Sequence, residues 1–196
     1  MQAASPVESL LPDVVHQAIS VAATAHRTQT RKASGLPYIS HPAAVASILV
    51  QAGVSDPNMI AAAWLHDVVE DTDVTLEDIA AQFPAEVVQL VDCMSETKYD
   101  EAGTKIPWAE RKAHHIREMS GASDDAKAVM LADKLHNMTT MLDEQAEQPD
   151  FWDRFNASKE ELLGYYSSMV ATTAGIDELS ELRVACEQVI AALRGA

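Results

Sequence analysis

Positive charge is scarce in this chain. Fourteen Lys and Arg stand against 30 Asp and Glu, giving a formal net charge of −16. A field of that sign repels polyanions and argues against non-specific nucleic-acid binding. Cysteine is nearly absent as well. The two present, Cys93 and Cys186, lie inside apolar helical patterns and read as reduced core residues, which suits a cytoplasmic protein. No apolar run approaches the roughly 18 residues of a membrane span, so no membrane partner is expected. The opening residues, Met1 to Pro6, lack the basic-then-apolar order of a secretory signal. Alternating strand patterns and internal repeats are also missing. What remains is an all-α reading.

The 196 residues, 47% of them hydrophobic, suffice for one domain with a real core. Residues 1–10 read as a loose N-terminal lead, and residues 11–196 as the domain. Apolar residues at helical spacing predict a helix over about 11–25. A loop follows from His26 to Tyr38; with Arg27, Arg31 and Lys32 it is the most basic segment of an acidic protein. Ser40 is expected to cap the next helix, with Pro42 in its first turn. Asp56-Pro57 should start a central helix running to about residue 69. Thr75 and Asp78 resemble a capping arrangement, and a further helix is expected over 85–94. Residues 96–106 suggest a loop or one small β-hairpin. Pro107 opens a helix carrying Arg111, Lys112, His114, His115 and Arg117, whose charge suits either a solvated face or an anionic ligand. A long helix from Ser123, an aromatic-rich connection at 149–155, and helices over 158–173 and 176–193 complete about ten helices.

The chain is organised around Leu65-His66-Asp67-Val68-Val69-Glu70-Asp71-Thr72, at the end of the apolar central helix. On a continuous helix His66 lies over Glu70, and Asp67 over Glu70 and Asp71. Four ionisable groups beside a buried run are costly unless a cation compensates them. A His-Asp pair alone is as well explained by a helix end fraying into an acidic loop. Two further residues change the balance. His41 sits at a helix start, and Asp133 lies inside a mostly apolar helical run, where an aspartate is out of place unless it pairs with Lys134. Two imidazoles and two carboxylates suit a first-row divalent ion that keeps positions open for water and substrate.

The order His41…His66-Asp67…Asp133 resembles the signature of the HD-domain metal-dependent phosphohydrolases. The longer segments RKASGLPYISHP from Arg31, LHDVVEDT from Leu65 and LADKLHNM from Leu131 narrow the likeness to the hydrolase domain of RelA/SpoT-type enzymes. With no room for a synthetase or regulatory domain, the chain is similar to the small alarmone hydrolases, Mesh1-like proteins included. The resemblance covers about residues 11–170. It implies a single HD-domain fold, with Mn²⁺ held by His41, His66, Asp67 and Asp133. It implies hydrolysis of the 3′-pyrophosphate of (p)ppGpp to GDP or GTP plus pyrophosphate. Glu70 and Asp71 match the family's catalytic acidic pair. Arg31, Lys32, Asn137, Thr140 and Tyr165 match substrate-contacting positions. Thr139 stands where the family often has an arginine. Related substrates, (p)ppApp or the 2′-phosphate of NADPH, fit the same chemistry. Arg31 and Lys32 supply the local positive charge that an anionic nucleotide needs in so acidic a protein. His136 reads as a packing neighbour, and a homo-oligomer is compatible with all of this.

Overall fold

A computed structural model describes residues 11–31, 34–148 and 150–195. The N-terminal lead 1–10 and Lys32 therefore lie outside the described residues. Among these residues the fold is all-α, with ten α-helices and two short 3-10 turns. The chain divides into two compact units, Met1–Ser95 and Glu96–Ala196.

The first unit is built on α3 (Pro57–Leu65). Ala61, Ala62, Ala63 and Leu65 are all 0% exposed, so this helix is buried nearly all round. The three small side chains let α1 (Asp13–Ala25), α2 (Ser40–Gln51) and α6 (Ala85–Met94) pack against it. Asp56 caps α3 by accepting the Asn58 amide at 2.9 Å, with Pro57 at the first position. Between α3 and α6 come α4 (Val68–Asp71) and α5 (Leu76–Ala80); the latter is started by a full Thr75/Asp78 capping box.

Two expectations are corrected here. The central helix does not run on to residue 69. It stops at Leu65, turns through His66 and Asp67, and restarts as the single turn α4. The His66 ring explains the break: its Nδ1 lies 2.8 Å from the Ala63 carbonyl, the acceptor that the Asp67 amide takes in a continuing helix. Nor does Ser40 cap α2. Its hydroxyl donates backwards to the Pro37 carbonyl at 2.8 Å, and the helix grows out of that turn with Ile39 at the cap position.

The second unit is laid along α8 (Asp124–Glu147), which is buried without interruption from Ala126 to Lys134. Against it pack α9 (Lys159–Ala171) and α10 (Ser180–Gly195), while α7 (Trp108–Gly121) packs on α9. Ser123 caps α8, and Ser158 with Glu161 forms a capping box on α9. The last helix begins at Ser180 rather than Ile176, because a 3-10 turn over Asp177–Leu179 comes first. The 96–106 segment folds back through one antiparallel bridge, Tyr99 to Lys105, with Gly103 at φ +75° in the turn. Cys186 is buried as expected, whereas Cys93 is only half-buried. Among the described residues, no helix is long and apolar enough to cross a membrane.

Candidate metal centre

In the first unit, three of the four residues read as metal ligands meet at one point. His41 is the second residue of α2 and His66 follows the last residue of α3; each is 1% exposed. Their Nε2 atoms are 3.2 Å apart. Asp67 Oδ2 lies 3.3 Å from the His41 Nε2 and 3.1 Å from the His66 Nε2. The three atoms form a near-equilateral triangle. Neighbouring ligands of an octahedral ion with bonds of about 2.1 Å are themselves about 3.0 Å apart. With Nδ1 donating to the Ala63 carbonyl, Nε2 is the His66 ring nitrogen that faces the triangle, free to present a lone pair when a cation displaces any proton from it. The donor set therefore fits a divalent cation. Burial opposes ionisation of Asp67, but the His66 and His41 imidazoles outweigh it and hold the carboxyl well below the usual carboxylate range.

The acidic pair follows on α4, where Glu70 and Asp71 are both half-buried. The Asp71 amide donates to the Asp67 carbonyl at 2.9 Å, so one helical turn connects the two carboxylates even though the central helix is interrupted. The basic loop is closed by a bridge between Thr30 and Pro37 and by the Arg31 amide donating to the Leu36 carbonyl at 2.8 Å. Gly35 at φ +68° makes that return possible. The Arg31 guanidinium lies 5.7 Å from the centre of the Tyr38 ring.

In the second unit, Asp133 is 4% exposed on α8. Lys134 Nζ donates to its Oδ2 at 2.7 Å, and Asn137 Nδ2 donates to its Oδ1 at 2.6 Å. The Lys134 pairing anticipated as the alternative reading is therefore present. Burial opposes the charge on Lys134, and the Asp133 carboxylate overrides it, raising the ammonium pKa well above its ordinary value. Thr140, one turn beyond Asn137, donates its hydroxyl to the Asn137 carbonyl at 2.8 Å. Tyr165 is packed among polar groups on α9. Lys112 Nζ and Lys134 Nζ stand 4.6 and 5.8 Å from its ring centre, and its hydroxyl is 3.2 Å from His115 Nδ1. Burial pushes its phenol up to about 12.

Two groups went unread in the sequence. The first is Tyr38, whose hydroxyl donates to Asp67 Oδ2 at 2.6 Å; with it belong His26 and Gln29. The spacing His26-x-x-Gln29 ahead of Arg31 was the available signal. The second is Glu96, which collects Arg111 Nη1 at 2.6 Å, His115 Nδ1 at 3.0 Å and the Lys112 ammonium. Burial alone would raise the Glu96 pKa, but the His115 hydrogen bond and the Lys112 charge bring it down to about 2. This resolves the basic helix: its inward residues answer one buried carboxylate, while exposed His114 pairs with Glu118 at 3.0 Å.

Residues 18–177 match the HD domain family. The chain is 43% identical over 124 residues to the mouse guanosine-3′,5′-bis(diphosphate) 3′-pyrophosphohydrolase MESH1, covering 62% of this chain and 66% of that protein. The matched part thus spans about two thirds of that relative's length. The zebrafish MESH1 is 40% identical over 127 residues, 64% of this chain and 67% of the relative. Among solved structures, a metazoan orthologue of SpoT described as hydrolysing ppGpp superposes with a TM-score of 0.77 at 27% identity, over 96% of this chain and 97% of that one.

Proposed function

The chain belongs to the HD-domain family, and from that premise we propose that it hydrolyses the 3′-pyrophosphate of (p)ppGpp, releasing pyrophosphate and GDP or GTP. One observation carries the reading. The His41–His66–Asp67 triangle, with both imidazoles buried and a shape suited to a divalent cation, is followed one helical turn later by Glu70 and Asp71. The likeness to the MESH1 proteins and to the SpoT orthologue supports the choice of substrate.

In this reading His41, His66 and Asp67 hold the ion, Asp133 is its fourth ligand, and the ion is Mn²⁺. Mixed imidazole and carboxylate donors suit such an ion. When bound, it supplies Lewis acidity toward a phosphoryl oxygen and makes a neighbouring water more acidic. One carboxylate of the Glu70–Asp71 pair accepts the proton of the attacking water, whose oxygen forms the new bond to the phosphorus attached at the 3′-oxygen. The bond from that phosphorus to the 3′-oxygen breaks, and the 3′-oxygen leaves with the proton that the acidic pair took from the water. Arg31 and Lys32 bind the phosphate chain, the requirement set by a net charge of −16. Asn137, Thr140 and Tyr165 contact the rest of the nucleotide. The protein works in the cytoplasm on a small molecule, with neither nucleic acid nor membrane as partner.

The test is a substrate panel with purified protein and Mn²⁺: ppGpp, pppGpp, ppApp and NADPH, with pyrophosphate and orthophosphate read separately. Pyrophosphate released from ppGpp in preference to the others is the expected result. Orthophosphate from NADPH alone, or no product from protein that binds Mn²⁺, overturns the reading.

A further inference from the structure

We propose that Tyr38 is a positioning residue for the metal ion, aiming the Asp67 carboxylate at the two imidazoles. The proposal rests on the metal reading given above and adds a residue outside the ligand set and the acidic pair.

The geometry is specific. The Tyr38 hydroxyl is 2.6 Å from Asp67 Oδ2 and 3.3 Å from Asp71 Oδ2. A phenol has one proton to donate, and the shorter distance assigns it to Asp67. The accepting oxygen is the same Oδ2 that faces both Nε2 atoms. Tyr38 therefore occupies one lone pair of that oxygen and leaves the other directed at the imidazoles. A ligand oxygen held in this way pays less orientational entropy when an ion arrives, which is the general action of outer-sphere partners.

Tyr38 is itself held from several sides. Its ring lies 4.8 Å from the His26 ring and 5.8 Å, edge-on, from the His41 ring. His26 is 2% exposed, and its Nδ1 lies 2.6 Å from Gln29 Oε1. The Gln29 side-chain amide donates to the Asp71 carbonyl at 2.5 Å, and the Gln29 carbonyl accepts the Tyr38 amide at 2.9 Å. A closed circuit results, from the Tyr38 amide through Gln29 to the Asp71 carbonyl, from the Asp71 amide to the Asp67 carbonyl at 2.9 Å, and from the Asp67 carboxylate back to the Tyr38 hydroxyl. It spans the basic loop and α4, so it fixes the spacing between the metal ligand and the acidic pair. Packing alone would be met by phenylalanine; the hydroxyl is what reaches the Asp67 carboxylate.

The experiment compares wild type, Tyr38→Phe, Gln29→Met and the exposed control Tyr99→Phe. Mn²⁺ affinity is read by titration calorimetry and by the electron paramagnetic resonance signal of free Mn²⁺, alongside melting of the metal-free proteins. Tyr38→Phe should weaken Mn²⁺ binding roughly 10–100-fold, the usual cost of losing such a partner. Its kcat on ppGpp should fall while KM stays near the wild-type value. Gln29→Met should shift affinity in the same direction by less, and Tyr99→Phe should change nothing. Tyr38→Phe with wild-type Mn²⁺ affinity overturns the proposal, whether or not its melting temperature moves. Wild type that binds no Mn²⁺ overturns the metal reading and this proposal with it. Wild type that binds Mn²⁺ but leaves ppGpp intact overturns only the choice of substrate, and the affinity comparison still decides the role of Tyr38.

Discussion

Two carboxylates in this molecule, a buried Glu96 and a half-buried Asp67, are stabilised in opposite ways. Glu96 in the second unit is met by permanent cations, the Arg111 guanidinium and the Lys112 ammonium, with His115 beside them. Asp67 in the first unit is met by two imidazoles and a phenol. The protein's own cations settle the charge of Glu96, and nothing further is needed there. Around Asp67 the neighbours are groups whose charge is conditional: two imidazoles that carry a proton or give it up, and a neutral phenol, with Nε2 of each imidazole facing the carboxylate oxygen. A divalent cation in their midst takes the place of those protons and meets two imidazole nitrogens and a carboxylate oxygen at once. A buried acid among fixed cations is a structural device; an acid among imidazoles has the surroundings that a metal ligand needs.

That contrast can be broken most severely at the triangle. His66→Ala or Asp67→Asn should abolish metal retention and lower pyrophosphate release by several kcal/mol of transition-state stabilisation, roughly 10³-fold or more. Metal analysis of the purified variants together with an initial-rate assay checks this. Next comes Glu70→Ala, which should cut turnover roughly 10²–10⁴-fold while metal content stays near wild type. Lost metal in that variant would make Glu70 a ligand rather than a proton acceptor. Asp71→Asn, assayed in parallel, tells which of the two carboxylates takes the proton.

Glu96→Gln probes the other side of the comparison. It leaves Arg111 and Lys112 without their anion and should lower unfolding stability by about 3 kcal/mol, with metal content unchanged. The pH dependence has a definite sign. The folded-state pKa of about 2 lies below the ordinary 4.5, so the stabilisation is fully present above about 4.5 and is lost as pH falls through 2. Denaturant melts of wild type should lose about 3 kcal/mol across that window that the Gln variant does not lose. Equal acid sensitivity in the two proteins would show that Glu96 is not the compensated charge described here. The smallest effects belong to the caps: Thr75→Ala and Ser158→Ala should each cost about 1 kcal/mol of stability and leave metal affinity untouched.

Much of this was legible in the chain. Asp56-Pro57 and Thr75 with Asp78 are local signals, and each marked a helix start the structure contains. Ser40 misled because its hydroxyl has two possible partners. The Pro37 turn offers a carbonyl acceptor before the helix can offer an amide. The break after Leu65 was not legible, since apolar periodicity runs on through Val68 and Val69. It is made by a side chain taking a backbone carbonyl, and no spacing rule registers that. Tyr38 and Glu96 escaped for a related reason. Each acts on partners 15 to 33 residues away, so their roles depend on which elements meet.

By itself, the sequence determined the class of the molecule and the chemistry it could support. Helical periodicity, caps and a deficit of positive charge are properties of short windows and of composition, and they need no fold to be read. The same holds for the identities of His41, His66, Asp67, Glu70 and Asp71. Only the tertiary structure decided that three of these atoms form a triangle of metal-ligand dimensions. It also decided that Tyr38 closes a circuit around them, and that the basic helix answers a buried glutamate. Distances between residues far apart in sequence are set by packing α1, α2 and α6 around three alanines of α3, and by laying α9 and α10 along α8.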